Sequence, residues 1–286
     1  MIKIGDYNEM RIMRFMDFGA YLSDINGDDK SEVLLPRRYV DEDMCVGDTL
    51  KVFVYTDSED RPVATLEQPY ARVGEFAFLQ TIQVNRVGAF LDWGLQKNLL
   101  VPFKEQKIKM FPGGIYLVYI YLDNNSQRVV ASARVEKFLG NVFPEYKKND
   151  EVDALIIGRT SAGYQAIVDN LHRGMIYENE TYQPLEIGRH VRAFVKQVRE
   201  EDGKIDLTVN NPDTLNRIEH IASIIMDTLQ RDTSIVNEKA SSESIKDTFK
   251  CSKKDFKKAV GMLYREHKVI VDDKGIVQLN TDTHRQ

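Results

Sequence analysis

Aromatic side chains flank a glycine–alanine pair at two places in the chain, and this spacing suits the stacking of nucleic-acid bases. Phe18 and Tyr21 bracket the first pair, whereas the second pair is followed by Phe90 and preceded by Val87. A ring that stacks on an unpaired base contributes roughly 1 to 3 kcal/mol. The alternative is a core position, because a regular strand would turn one of Phe18 and Tyr21 inward.

Charged residues follow each aromatic site. Asp57 is followed by Arg61, and Asp123 by Arg128 with one extra residue between them. Basic side chains next to stacking rings are suited to phosphate contacts. The lysines that we expect to act in this way are Lys97, Lys104 and Lys107. The alternative for these lysines is a solvated loop.

The single tryptophan, Trp93, follows the second aromatic site. Its position beside a turn is compatible with two roles, stacking and packing. It is either a further stacking residue or a packing residue between modules.

These residues belong to a repeat. FGAYLSD at 18–24, VGAFLDWG at 87–94 and AGYQAIVD at 162–169 are each followed by a short apolar run and then by a valine-rich segment that ends in an acidic turn. Pro36 and Pro102 are 66 residues apart, as are Asp57 and Asp123. A period this long is typical of small self-contained domains rather than of solenoid units.

Alternating apolar residues predict about five short strands in each repeat, with a bend or bulge at the glycine of the second strand. Five such strands in so short a segment favour a closed Greek-key barrel, the OB-fold. The fold class predicted for the chain is therefore mainly β with a C-terminal α+β module.

The order of glycine–aromatic strand, short apolar strand and hairpin with Asp and Arg resembles the S1 domain, an RNA-binding OB module. The resemblance implies that Phe18, Tyr21, Asp57 and Arg61 line an RNA-binding face. In the second copy the matching residues are Phe90, Asp123 and Arg128. The histidine of the family's third strand is absent from all copies, and Pro36 and Pro102 occupy its neighbourhood in the first two.

The third copy is degenerate. It keeps Tyr164 as its aromatic residue, and Lys204 only loosely replaces the arginine of the hairpin. A spacer role is therefore as credible for this barrel as a binding role.

After the third repeat the apolar period changes to three and four residues, which predicts a helix over about 213–231 capped by Asp213 or Thr214. Two more helices are predicted over 242–249 and 252–266, followed by a hairpin over 269–279. Three helices and a two-stranded wing resemble a winged helix domain. On its third helix four lysines share one arc and are the expected nucleic-acid contacts: Lys253, Lys254, Lys257 and Lys258.

Three such barrels followed by a winged helix resemble the conserved virulence factor B family, bacterial RNA-binding regulators, across nearly the whole chain. The resemblance is strongest in VGAFLDWGLQKNLLVP and SKKDFKKAVGMLYREHKV. The expected domains are a first S1-like OB barrel at 1–69, a second at 70–142, a third at 143–212 and the winged helix domain at 213–286.

The net charge and the motifs absent from the sequence limit which functions are expected. The net charge is −5, so nucleic-acid affinity must come from local basic patches. No spacing of His and Cys suits a metal, and no nucleophile elbow, phosphate loop or dinucleotide fingerprint is present, so we expect no enzyme, metal or cofactor. There is no run of about 18 apolar residues and no signal peptide, so we expect a cytoplasmic protein without a membrane partner.

The sequence thus predicts an RNA-binding, post-transcriptional regulator whose barrels hold single-stranded RNA, with the winged helix as a second contact. One rival is a protein-interaction adaptor on ribosome or polymerase. Another is a transcription regulator that binds DNA through the winged helix. The exposed arc of the third helix carries lysines but no Arg, Asn or Gln. Because those three are the side chains suited to bidentate base contacts, the arc argues against sequence-specific DNA binding.

Overall fold

Alternating apolar residues of the three repeats form strands, and each repeat closes into a five-stranded barrel in the computed structural model. The structure describes residues 2–25, 32–181, 184–231 and 236–280. Within them, three barrels are followed by three helices and a two-stranded sheet. The predicted fold class, three OB-type barrels followed by a winged helix, is confirmed.

Each of the three barrels is built from five strands that are consecutive in the chain. The first barrel contains β1 Asp6–Met16, β2 Gly19–Asp24, β3 Glu32–Pro36, β4 Thr49–Thr56 and β5 Pro62–Thr65. The second contains β6 Phe76–Val84, β7 Gly88–Asp92, β8 Leu99–Pro102, β9 Ile115–Leu122 and β10 Val129–Ser132. The third contains β11 Glu151–Thr160, β12 Gly163–Val168, β13 His172–Tyr177, β14 His190–Val198 and β15 Ile205–Thr208.

The three barrels share one topology. In each, the first strand pairs antiparallel with the second and fourth, and the third pairs with the fifth in parallel. The first strand of each barrel also has a register shift, the position at which it bends between its two neighbours. Equivalent residues of the three barrels can therefore be compared by strand position.

The glycine that opens the second strand is required by close backbone approach. A Cβ on Gly19 would lie 2.1 Å from the carbonyl oxygen of Leu35, and one on Gly88 would lie 2.3 Å from that of Val101. Both glycines also have positive φ, at +150° and +159°. Only glycine meets both conditions, which is why it marks the repeat so clearly.

Buried apolar residues fill each barrel, and the first two barrels share part of this core. Phe53 and Tyr55 of β4 pack in one cluster with Trp93, at ring-centre distances of 5.8 Å and 6.4 Å. Between the second and third barrels, Phe76 packs with Leu155, and its main-chain N–H donates to the Asn170 side chain at 3.0 Å. The barrels are thus in contact through side chains as well as linkers.

The C-terminal helices are α1 Pro212–Arg231, α2 Ser242–Phe249 and α3 Lys253–Arg265, followed by β16 Val269–Val271 and β17 Val277–Leu279. Ser241 and Ser252 cap the second and third helices through their hydroxyl oxygens. The cap predicted for the first helix is wrong: the Asn211 side chain, not Asp213 or Thr214, accepts the hydrogen bond, from the Asp213 N–H at 2.9 Å.

Candidate nucleic-acid interface

The outer face of the first barrel carries the first predicted aromatic pair. Along β2, Ala20 and Leu22 are buried in the core, so Tyr21 between them points outward. Phe18 precedes the strand and is 51% exposed, and its ring meets the Tyr21 ring edge-on at 6.0 Å. Because β2 begins after Phe18, the alternation that would bury one of the two rings does not apply. Both rings are accessible.

A cation lies against one of these rings. The guanidinium of Arg14 lies 4.3 Å from the centre of the Tyr21 ring and also pairs with the Glu32 carboxylate. One face of Tyr21 is therefore covered by a fixed positive charge. Stacking of a base on Tyr21 would therefore need the opposite face of the ring or displacement of Arg14.

The second barrel repeats the outward aromatic position. Phe90 pairs across the strands with Leu100, as Tyr21 pairs with Leu34. Each ring thus lies beside a half-buried leucine on the outside of its barrel. Val87, at the position of Phe18, is exposed and offers no ring.

The third barrel has no ring on this face, and the assignment of Tyr164 to it is wrong. Tyr164 directly follows Gly163, the position held by an inward alanine in the other barrels, and it is 2% exposed. The outward position belongs to Gln165. Lys204 pairs with Asp202 at 2.6 Å in the hairpin turn.

The first hairpin holds its Asp and Arg, the two residues predicted for the RNA-binding face, in contact with each other. Arg61 donates from Nε and from a terminal nitrogen to one oxygen of Asp57, at 2.9 Å and 2.7 Å. Partial burial acts to raise the pKa of Asp57, but hydrogen bonds from the Arg61 main chain and side chain outweigh it and hold the pKa below its usual value. Arg61 itself is exposed, so a phosphate can approach it.

The second hairpin does not repeat that contact between its Asp and its Arg. Asp123 accepts hydrogen bonds from the main chain and hydroxyl of Ser126, at 3.0 Å and 2.7 Å. Arg128 instead extends to the first barrel and forms a two-point ion pair with Asp60. The extra residue in this turn gives Asp123 a nearer partner, so Arg128 is available to join the two barrels.

Trp93 and Lys97 also lie between the first two barrels rather than on an RNA-binding face. Trp93 is 2% exposed, and its indole N–H donates to the Lys97 carbonyl oxygen at 2.6 Å. The Lys97 ammonium donates to the carbonyl oxygens of Thr56 and Asp57, at 2.7 Å and 2.6 Å. Burial lowers the pKa of Lys97, and the nearby Arg128 adds to this effect. The packing role of Trp93 is therefore correct, and the phosphate-binding role of Lys97 is not.

The other two predicted lysines of the second barrel lie on the surface. Lys104 is exposed, and within the described residues its ammonium forms no ion pair. Lys107 is exposed but pairs with Glu136. Of the two predicted phosphate contacts, Lys104 is thus the one without an ionic partner in the described part of the chain.

Three of the four lysines on α3 are exposed, and the fourth is not. Lys254, Lys257 and Lys258 face solvent, whereas the Lys253 ammonium donates to the Ala240 carbonyl oxygen at 2.7 Å. The opposite side of the helix packs in the winged helix core through Phe256. Lys253 is therefore a structural contact, and the basic face consists of the other three.

The structure adds three surface residues that sequence reasoning missed. Phe103 follows Pro102 and is 48% exposed, Arg86 precedes Val87, and Arg38 donates to the Gln96 side chain across the first two barrels. The 66-residue register that relates Pro36 to Pro102 also relates Arg37 to Phe103. The register in the sequence thus marks position 103, although it lies outside the glycine–aromatic motif.

The described part of the chain contains neither a candidate metal site nor a candidate membrane helix. No group of three or more His, Cys, Asp or Glu side chains in it is placed to hold a metal ion. No helix among those residues is long and apolar enough to span a membrane.

Comparison with known families identifies two of the modules. Residues 4–67 match the S1 domain, and residues 224–277 match the CvfB-like winged helix domain. These matches cover the first barrel and most of the C-terminal module.

Curated relatives match over most of the chain. The chain is 27% identical over 266 residues to the uncharacterized protein YitL of Bacillus subtilis, covering 88% of this chain and 86% of that protein. It is 26% identical over 248 residues to conserved virulence factor B of Staphylococcus aureus, covering 84% of this chain and 82% of the relative. The predicted resemblance to conserved virulence factor B is confirmed.

A solved structure also matches over almost the full length. It is a multidomain protein with nucleic acid binding domains from Streptococcus pneumoniae, 23% identical, covering 96% of this chain and 98% of that one with a TM-score of 0.39.

Proposed function

We propose that this relative of conserved virulence factor B is an RNA-binding protein that regulates gene expression after transcription. Single-stranded RNA binds to the outer faces of the first two barrels, and the winged helix provides a second, basic contact. The S1 domain resemblance favours RNA over DNA as the ligand.

The observation that carries the proposal is the matched placement of Tyr21 and Phe90. Each ring projects from the outside of a barrel beside a leucine, Leu34 or Leu100, although neighbouring strand residues are buried. A ring held in this way offers a flat apolar surface to any base, because every base has a π-face. Such sites are therefore tolerant of sequence and require an unpaired strand.

The winged helix supports the proposal through charge. Lys254, Lys257 and Lys258 form an exposed basic face that attracts phosphates. A lysine is a point charge without the planar fork that reads base edges, so this face contributes affinity without sequence preference. Several weak contacts on one chain reinforce each other when the RNA spans them.

Fluorescence anisotropy of full-length protein with labelled oligonucleotides tests the proposal. The probes are single-stranded RNA, single-stranded DNA and duplex DNA of about 12 nucleotides, a length that suits sites of roughly 4 to 16 nucleotides per OB fold. We expect the single-stranded RNA to bind most tightly, and we expect Tyr21→Ala with Phe90→Ala to weaken binding at least tenfold, since each stacked ring contributes roughly 1 to 3 kcal/mol.

Phe143→Ala is the matched control, because Phe143 is an exposed aromatic residue outside both aromatic sites. It should leave the affinity unchanged. Tighter binding of duplex DNA would favour a DNA-binding regulator. No binding of any probe at low salt would overturn the proposal and favour a protein-interaction adaptor.

A further inference from the structure

The charges of the chain are divided unevenly between the first two barrels. Residues 70–142 carry nine Lys and Arg against five Asp and Glu, whereas residues 1–69 carry eight against fifteen. A polyanion is therefore attracted to the second barrel and repelled by the first. The better aromatic pair therefore lies in the less favourable electrostatic environment.

One position before each aromatic site follows the same division, although Arg14 also lies over Tyr21 in the first barrel. The residue two positions before the strand-opening glycine is Asp17 in the first barrel and Arg86 in the second, and both are exposed. Among the described residues, Arg86 forms no ion pair. The second barrel thus has an exposed cation at the position where the first barrel has an exposed carboxylate.

The second barrel also has an exposed ring directly after its third strand, β8. Antiparallel pairing of Gly88 with Pro102 makes Phe103 the next residue opposite Val87. The equivalent rung is seen in the first barrel, where the N–H of Arg37 donates to the Phe18 carbonyl oxygen at 2.9 Å. Phe103 therefore corresponds to Arg37 of the first barrel and presents a ring that is 48% exposed.

Hydrogen bonds to the barrel hold the short segment that carries Phe103. Phe103–Glu105 forms a single helical turn. The Glu105 carboxylate accepts from the Ser132 hydroxyl at 2.7 Å, and the Gln106 side chain is buried and donates to the Val101 carbonyl oxygen at 3.2 Å. These contacts hold the turn on the barrel and leave Phe103 and Lys104 on the surface. A preorganised ring and cation lose little entropy when a ligand binds.

We infer that Phe103, with Arg86 and Lys104, forms the affinity-determining contact for single-stranded RNA on the second barrel. A base stacks on Phe103, and the flanking phosphates lie against the two cations. The first barrel then extends the bound strand rather than capturing it. This inference rests on the proposed function and assigns its main contact.

The test compares matched variants of the full chain, with a labelled oligouridine of about 12 nucleotides as the probe. Phe103→Ala should weaken binding about tenfold, because one stacked base is lost. Phe18→Ala, the matched change in the first barrel, should weaken it less than threefold. Circular dichroism melts confirm folding, and Phe103→Leu provides an apolar variant without a ring, which should also bind weakly.

The salt dependence of binding gives an independent measurement for the two cations. Arg86→Ala with Lys104→Ala should reduce the slope of log affinity against log salt by about 1.4, since each phosphate contact on a single strand contributes roughly 0.7. Arg37→Ala with Arg38→Ala is the matched control in the first barrel and should change the slope by less.

The outcomes separate this inference from the proposed function. If the wild-type protein binds RNA but the variants of the first barrel lose as much affinity as those of the second, or more, the inference is wrong and the proposed function stands. If the wild-type protein binds no RNA, both are wrong.

Discussion

The ammonium of Lys97, in the second barrel, lies 2.6 Å from the main-chain carbonyl oxygen of Asp57, in the first. The carbonyl oxygen of the same lysine accepts the indole N–H of Trp93, whose ring packs against Phe53 and Tyr55 of the first barrel. Arg128 adds an ion pair across this boundary. The first two barrels are therefore joined by a specific polar and aromatic contact.

Lys97→Met should destabilise this contact. The substitution keeps a side chain of similar length but removes two hydrogen bonds from a charged donor, so we expect the free energy of unfolding to fall by about 2 kcal/mol. Urea unfolding followed by Trp93 emission measures the change, because Trp93 is the only tryptophan and lies at the boundary. Lys109→Met, at an exposed position, is the control. Equal unfolding midpoints in the two variants would show that the contact is not stabilising.

Alanine substitutions at Tyr164 and Gln165, which are neighbours in the third barrel, should affect the stability of the protein differently. Tyr164→Ala empties a core position and should cost about 3 to 5 kcal/mol of stability, as for other large buried aromatic residues. Gln165→Ala removes an exposed side chain and should change neither stability nor RNA affinity appreciably. Thermal unfolding and RNA titration of both variants check this. A loss of RNA affinity in Gln165→Ala with normal stability would give the third barrel a binding role.

Acid should destabilise the third barrel through His172. Its ring is buried, its Nδ1 has no hydrogen-bond partner within the described residues, and it packs edge-on against Tyr146 at 5.6 Å. Burial lowers the pKa of His172, although Asp169 opposes the shift. The unfolded chain therefore binds a proton more readily, and stability should fall as the pH drops below about 6.5.

His172→Leu removes this titration. Urea unfolding at about pH 7.5 and 5.5 should show a smaller loss of stability in the variant than in the wild-type protein. The same pH dependence in both would assign the acid sensitivity to other groups.

The basic face of α3 should contribute to RNA affinity through charge alone. Lys254→Ala with Lys257→Ala removes two exposed cations and should reduce the salt slope of binding by about 1.4, with no change in preference among base sequences. Lys246→Ala with Lys274→Ala changes the net charge equally at exposed positions outside α3 and is the control. If both pairs reduce the slope equally, the effect is one of overall charge and not of this face.

Local patterns were sufficient to predict the barrels and the winged helix. Gly19 and Gly88 are fixed by close backbone approach, so they recur at matched strand positions and reveal the repeat. The outward side chain lies two residues after this glycine. Counting from Gly163 therefore identifies Gln165, not Tyr164, as the outward residue of the third barrel. That error came from matching residue type rather than position.

Contacts between barrels were not predictable from a single sequence. Arg128 follows Asp123 as Arg61 follows Asp57, yet it pairs with Asp60 of the other barrel. Its partner depends on how the barrels pack, and residues 68 positions apart show no local pattern that reveals this pairing. Phe103 differs in this respect, because the 66-residue register relates it to Arg37 in the sequence itself.

Photo-crosslinking maps the RNA-binding face most directly. Full-length protein is irradiated with single-stranded RNA that contains 4-thiouridine, digested, and the crosslinked peptides are identified by mass spectrometry. We predict crosslinks in the peptides that contain Tyr21, Phe90 and Phe103, with none at the buried Trp93 or Tyr164. Crosslinks confined to α3, or to the third barrel, would contradict the claim that the outer faces of the first two barrels hold the RNA.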